Sequence, residues 1–245
     1  MLWDRSVFEM NKLRNYLNNI SMRRVIVMLL GVVLTGWGIA TFRLAALGTD
    51  PYSGMNLALA DFLGIPYPTL QILVNVGFFI IQLLWGRSLL GPGTIANAFG
   101  LAYVVSFFYA IYIKYLPAPE GLPLRLLILL IGLAICSLGL SMYQQADLGV
   151  APYDALPLIL TKRVRNTPFF LWRVLADAGC ALVCFLTGGV LGIGTLATAF
   201  GLGPVIQLFD HSLTAIFLGK KPAGKLPGNE SPGNKLPGNE KDFRP

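Results

Sequence analysis

The sequence predicts an all-α membrane protein: six transmembrane helices in two inverted three-plus-three repeats, each with an extra short re-entrant or interfacial helix. Three observations lead there. Charge is scarce in the middle of the chain, six apolar stretches have spanning length, and two motif pairs recur at a fixed offset of about one hundred residues. Charged residues make up 13% of the chain and apolar residues 55%, against about 25% charged in a soluble domain. The charge also sits at the ends. Residues 1–24 hold five Lys/Arg and two Asp/Glu, and residues 219–245 hold six and three. The 194 residues between them share eight basic and seven acidic side chains. Such a core cannot cover itself with polar groups, so lipid must cover it. The net charge of +7 belongs mostly to the tails. It suits an anionic membrane surface better than nucleic acid, because no basic stripe with interleaved aromatics lies on a foldable element.

Residues 1–24 read as a cytoplasmic segment without a signal peptide. Trp3, Val7, Met10, Leu13 and Leu17 make the apolar side of a short interfacial helix. The membrane domain is placed at 25–218. Its spans are read at 25–46, 67–86, 92–116, 124–146, 168–188 and 193–218, each near the length of about 20 residues that crosses hydrocarbon. Tyr52–Leu63 and Tyr153–Thr161 are too short to cross and should lie in the interface or dip in and return. With the N-terminus inside, Arg23, Arg24, Arg87, Lys162, Arg163, Arg165, Lys220 and Lys221 fall inside. Only Arg43, Lys114 and Arg125 fall outside, which satisfies the positive-inside rule. The location read from this is a cell membrane, with both termini cytoplasmic. From Gly219 on, KLPGNE occurs at 225–230 and again at 235–240. That Pro/Gly-rich tail is expected to be disordered.

The internal repeat divides the membrane domain into about 25–116 and about 124–218. LGTDPY at 47–52 matches LGVAPY at 148–153. GPGTIANAFGL at 91–101 matches GIGTLATAFGL at 192–202, at eight of eleven positions. Three crossings per copy turn the second copy upside down, the arrangement of many transporters. The paired motifs LGxxPY and GxGTxxxAFGL resemble the YczE/YitT-like family of bacterial membrane proteins, closest to its YczE branch. The resemblance covers roughly 25–218 and leaves out the tail. It implies a membrane location and a transporter-like fold, with no substrate implied.

The motifs give three groups of candidate residues. Gly48, Asp50, Pro51 and Tyr52, with Gly149, Pro152, Tyr153 and Asp154, read as a helix break and the start of a short helix. The glycines can adopt positive φ, proline suits the first helical position, and Asp50 stands at the N-cap. The break is either a turn at the membrane surface or a helix N-terminus that favours an anion. Gly91, Gly93, Thr94, Gly100, Gly192, Gly194, Thr195 and Gly201 read first as close helix packing. Asn97 and Thr198 place one polar group in each copy.

The third group is on the fifth span. Arg173, Asp177, Cys180 and Cys184 share one helix face, with Asp177 about 14 Å deep at 1.5 Å per residue. At an offset of 102 their counterparts are Gln71 and Asn75, with Gln82 for Cys184. A charge at that depth costs several kcal/mol unless it faces protein, water or a partner. The two pairs either line a polar cavity between the copies or lock helices together. Arg43 should snorkel outward. His211, the one histidine, reads as interfacial.

Metal and cofactor sites, catalytic motifs such as HExxH or GxSxG, and nucleotide-binding motifs are not expected. The leading function is secondary transport or export of a small polar or anionic solute. The expected partners are the lipid bilayer and a small-molecule solute, with a homodimer left open. The alternative is an auxiliary or regulatory subunit of another membrane or secretion system, whose polar faces would meet a partner.

Overall fold

A computed structural model describes residues 21–164 and 167–209. The expectations about residues 1–20, His211 and the C-terminal tail lie outside that range. All regular structure among the described residues is helical, as a chain in hydrocarbon requires when each backbone group must be satisfied within its own segment.

Eight helices and a short 3-10 turn at Arg87–Leu89 follow in order among the described residues, the helices being α1 Met22–Ala45, α2 Pro51–Leu63, α3 Tyr67–Trp85, α4 Pro92–Tyr115, α5 Leu122–Ala146, α6 Pro152–Arg163, α7 Phe169–Leu186 and α8 Ile193–Phe209. Five of them (α1, α3, α4, α5 and α7) are long and apolar enough to cross a membrane. The expected sixth span, α8, has 17 described residues. Helices α2 and α6 have 13 and 12 residues, as expected for the two short segments. Helix α4 is not uniform. Ala96–Gly100 forms a π turn, and the freed carbonyl of Ala98 accepts a bond from Asn75 Nδ2 at 2.9 Å. Such bulges are frequent at functional sites.

The core is the antiparallel pair α1 and α5, the most extensively packed helices. Small residues let the backbones approach. A side chain on Gly31 would press on the backbone of Gly139 and Tyr143, and one on Gly139 would meet Thr35. Arg24 donates to the carbonyls of Ala146 (2.8 Å) and Asp147 (2.7 Å), where the last carbonyls of α5 attract a cation. That contact puts the start of α1 beside the end of α5. Around this pair α4 packs on α1 and α8 on α5. The short helices cross over: α2 packs on α7 and α6 packs on α3. Much of α7 faces outward, with Phe170 at 71% and Phe185 at 68% exposure, the surface expected where lipid is the solvent.

The two breaks dock on the two GxGT motifs reciprocally. Gly93 N donates to the Leu148 carbonyl at 2.8 Å, and Gly194 N donates to the Leu47 carbonyl at 2.8 Å. A Cβ on Gly91 would collide with the Leu148 carbonyl and one on Gly192 with the Leu47 carbonyl, so only glycine fits there. Gly48 (φ 97°) and Gly149 (φ 111°) take the positive φ expected of them. The helices end two residues earlier, however, where Ala46 and Asp147 are left-handed at φ 51°.

One expectation fails here. Gly100 is not a packing glycine, because a Cβ there would meet nothing within 4 Å, and Gly201 reaches only Leu133 at ordinary distance. The Arg43 guanidinium lies 3.8 Å from the centroid of the Tyr109 ring, a cation–π contact.

Candidate functional site

A group of polar residues converges where the two short helices meet. Tyr52 on α2 and Tyr153 on α6 hold equivalent places in the repeat. Their rings stack at 4.3 Å between centroids with 12° between planes. Phe78 closes on both rings edge-on, at 6.2 Å and 5.7 Å. Each hydroxyl reaches the second span of its own half. Tyr52 donates to Asn75 Oδ1 at 2.7 Å, and Tyr153 donates to Asp177 Oδ1 at 2.6 Å. The 102-residue pairing of Asn75 with Asp177 is therefore matched by equivalent bonds.

In the second half the stack leads to a charged cluster. Arg173 Nε donates to Asp177 Oδ2 at 3.1 Å, and Arg173 Nη1 pairs with Asp154 Oδ1. The guanidinium also lies 5.2 Å from the Tyr153 ring centroid, and Cys180 Sγ stands 3.7 Å from the Tyr153 hydroxyl. About a third of the Arg173 and Asp154 side chains stays accessible, and 20% of Asp177. Solvent access lowers the cost of holding these charges. The pairing of Arg173 with Asp177 is the expected i, i+4 contact. Its extension to Asp154 was not anticipated, although Asp154 belongs to the break motif. Arg173 is thus committed to two carboxylates and is not a free anion receptor.

In the first half the cluster is neutral apart from one carboxylate. Asp50 caps α2, its Oδ1 accepting from Ser53 N at 3.0 Å, so the charge that helix N-terminus offers is met internally. Gln71 and Asn75 are buried at 1% and 2% exposure. The short helices pack on both second spans, and the tyrosine stack fills the junction where they meet.

The remaining candidates are structural in their contacts. Thr198 spends its hydroxyl on the Thr195 carbonyl of its own helix at 3.0 Å. Asn97 is buried in the π turn. Thr94 Oγ1 donates to the Val150 carbonyl at 2.9 Å, tying GxGT to the opposite break, while Gly192 N donates to Thr195 Oγ1 at 3.5 Å. Gln82 Nε2 donates to the Leu89 and Val150 carbonyls at 3.2 Å and 3.3 Å.

Sequence reading missed Ser53, Asn56 and Tyr67, which are buried beside these residues. Tyr67, Gln71 and Asn75 fall at i, i+4 and i+8, a polar stripe on one face of α3 that could have been read directly. No group of three or more His, Cys, Asp or Glu able to hold a metal occurs among the described residues.

Comparisons with known proteins agree with the motif resemblance. A family model described as "Family of unknown function (DUF6198)" matches residues 22–211. The "Uncharacterized membrane protein YczE" of Bacillus subtilis is 23% identical over 197 residues, covering 75% of this chain and 87% of its own. The "Uncharacterized protein YyaS" of the same organism is 27% identical over 198 residues, covering 80% and 96%. An "Uncharacterized protein" of Haemophilus influenzae is 26% identical over 189 residues, covering 76% and 83%. No solved structure matches the chain.

Proposed function

We propose that this chain, which belongs to the DUF6198 family, is a secondary transporter that moves a small polar solute across a bacterial cell membrane, between its own two inverted halves. The observation that carries the reading is the reciprocal junction. The short helix of each half crosses onto the second span of the other, and Tyr52 and Tyr153 stack where they meet. Transporters built from inverted repeats place their solute site at such a repeat interface, next to broken helices. Two equivalent hydrogen bonds, from Tyr52 to Asn75 and from Tyr153 to Asp177, hold the stack from opposite sides. Rocking of one half on the other would part the rings and open a polar path lined by Gln71, Asn75, Asp154, Arg173 and Asp177.

Sidedness has its own support. Arg24 bonds the end of α5, Gln82 and Leu89 bond Val150, and Arg163 lies over Trp85 at 4.8 Å. Arg24 and Arg163, two of the basic residues assigned to the cytoplasm, thus lie at the same end of the helices, and the turn before Leu122 is at the other end of α5. A net excess of carboxylate over guanidinium at the seam favours a neutral or cationic solute over an anion. The absence of a nucleotide-binding motif among the residues of the sequence points to ion-driven or exchange transport.

The test is metabolite profiling of cells with and without the gene, followed by uptake into vesicles containing only the purified protein. Uptake that is lost in a folded Arg173→Gln/Asp177→Asn variant supports the reading. A protein that moves none of the solutes so found unless a second membrane protein is present is an auxiliary subunit instead.

A further inference from the structure

Seven buried side-chain oxygens have no hydrogen-bond partner among the described residues, and four of them belong to Asp50, Asn56, Tyr67 and Gln71. These four come from two facing elements, the start of α2 and one face of α3. Asn56, Gln71 and Tyr67 are 0%, 1% and 6% exposed. Their convergence follows from the contacts around them. Tyr67 and Asn75 bracket Gln71 on α3, one turn to either side. The Ser53 side chain lies beside both the Asp50 carboxyl and the Tyr67 hydroxyl, and Asn75 accepts from Tyr52. Gln71 lies between Tyr67 and Asn75 on α3, the helix that packs on α2. Asn56 is beside the Tyr52 hydroxyl, and its Nδ2 donates to the Tyr52 carbonyl at 2.9 Å. That bond fixes the amide so that Oδ1 is the free atom.

All four atoms are oxygens, and one of them carries the charge of a carboxylate. We propose that Asp50, Asn56, Tyr67 and Gln71 form a binding site for a small monovalent cation of sodium size. The Asp50 Oδ2 is buried and unpartnered, and the helix N-terminus that Oδ1 caps offers only a partial charge. Asp50 is in none of the ion pairs of the described residues. A proton on Asp50 would supply one donor and leave the Asn56 and Gln71 acceptors unmatched, whereas a cation coordinates several oxygens at once. Oxygen donors suit hard cations. A single carboxylate balances one charge, where divalent sites draw on several.

The second half gives the strongest argument. Arg173 occupies the place of Gln71, and Asp154 the place of Ser53. Phe169, Pro157 and Ala151 replace Tyr67, Asn56 and Asp50. There the cation is covalently attached and pairs with Asp154 and Asp177, while the places of Asp50, Asn56 and Tyr67 carry no side-chain oxygen. Where the guanidinium is missing, the free oxygens are present.

Cation binding itself does not depend on transport; a role as coupling ion rests on the transport reading above. The experiment is thermal unfolding of the purified full chain in detergent, in NaCl against choline chloride at matched ionic strength and with LiCl and KCl as further probes. Sodium at ten times its half-saturating concentration should raise the folded-to-unfolded ratio about elevenfold by mass action. Asp50→Asn should erase that response. Gln71→Arg, which supplies the tethered charge, should give a folded protein indifferent to sodium. If Asp50→Asn does not fold, Gln71→Leu should fold and need at least about tenfold more sodium for the same shift, one oxygen ligand having been lost. Identical melting of the unaltered protein in all four salts overturns the proposal. So does a stability that follows pH alone, which would assign a proton to Asp50. Sodium stabilisation without solute uptake in vesicles would retain the site and remove the transport reading. Uptake without sodium stabilisation would do the reverse.

Discussion

The two halves solve one problem, a polar pair buried on the second span, with different chemistry. In the second half the pair is charged and closed. Arg173 holds Asp177 and Asp154, and Tyr153 adds a hydrogen bond to Asp177. In the first half it is neutral. Tyr52 bonds Asn75, Asn75 bonds the π turn of α4, and Gln71 keeps a free oxygen. The backbone frame is shared, down to the N-capping prolines Pro66 and Pro168 of α3 and α7. The two sequence copies therefore keep polar groups at matching positions and differ in their charge.

The largest expected effect breaks the charged side alone. Arg173→Gln leaves Asp154 and Asp177 facing each other without a cation. Breaking a buried pair costs about 3–5 kcal/mol, and the partial accessibility of these side chains puts the loss near the bottom of that range, at about 3 kcal/mol. Chemical unfolding in detergent measures it. The triple change Arg173→Gln, Asp177→Asn and Asp154→Ser copies the first half and should recover most of that loss. Failure to recover would mean that the halves differ by more than charge.

Next come the glycines of the reciprocal dock. Gly91→Ala and Gly192→Ala each drive a methyl into a carbonyl of the opposite break, at about 1–3 kcal/mol for overpacking. Gly100→Ala, which meets nothing, should stay within about 0.5 kcal/mol. Equal effects at all three would remove the dock from the account. The tyrosines sharpen the contrast further. Tyr153→Phe removes a bond to a carboxylate and should cost about 1.5–3 kcal/mol, while Tyr52→Phe removes a neutral bond worth about 0.5–1.5 kcal/mol. A reversed order would place the greater burden on the first half. The smallest effect is at the tail, where truncation after Lys221 should change expression by less than about twofold.

Much of the fold was legible because membrane chains advertise their spans. The apolar runs, the LGxxPY breaks and the offset of 101 residues located the described helices to within a few residues, apart from the end of α8, which was read beyond the described residues, and Asp50 and the positive-φ glycines were readable from local chemistry. The junction was not. Stacking of Tyr52 on Tyr153 depends on how the short helices cross between halves, and no local pattern encodes a crossing. Asp154 was in view as part of a motif, but its bond to Arg173 joins α6 to α7 across 19 residues. Gly100 failed for the opposite reason: it belongs to the small-residue pattern, yet the π turn points it away from any neighbour.

The inverted relation of the halves is best tested by sided labelling. Single cysteines at Glu120, in the turn before α5, and at Lys162, near the end of α6, are both exposed positions, and the native Cys136, Cys180 and Cys184 are buried. In intact cells an impermeant maleimide should label position 120 from outside, and position 162 only after the membrane is opened. Labelling of both positions from the same side would contradict the inverted arrangement and the transport mechanism built on it.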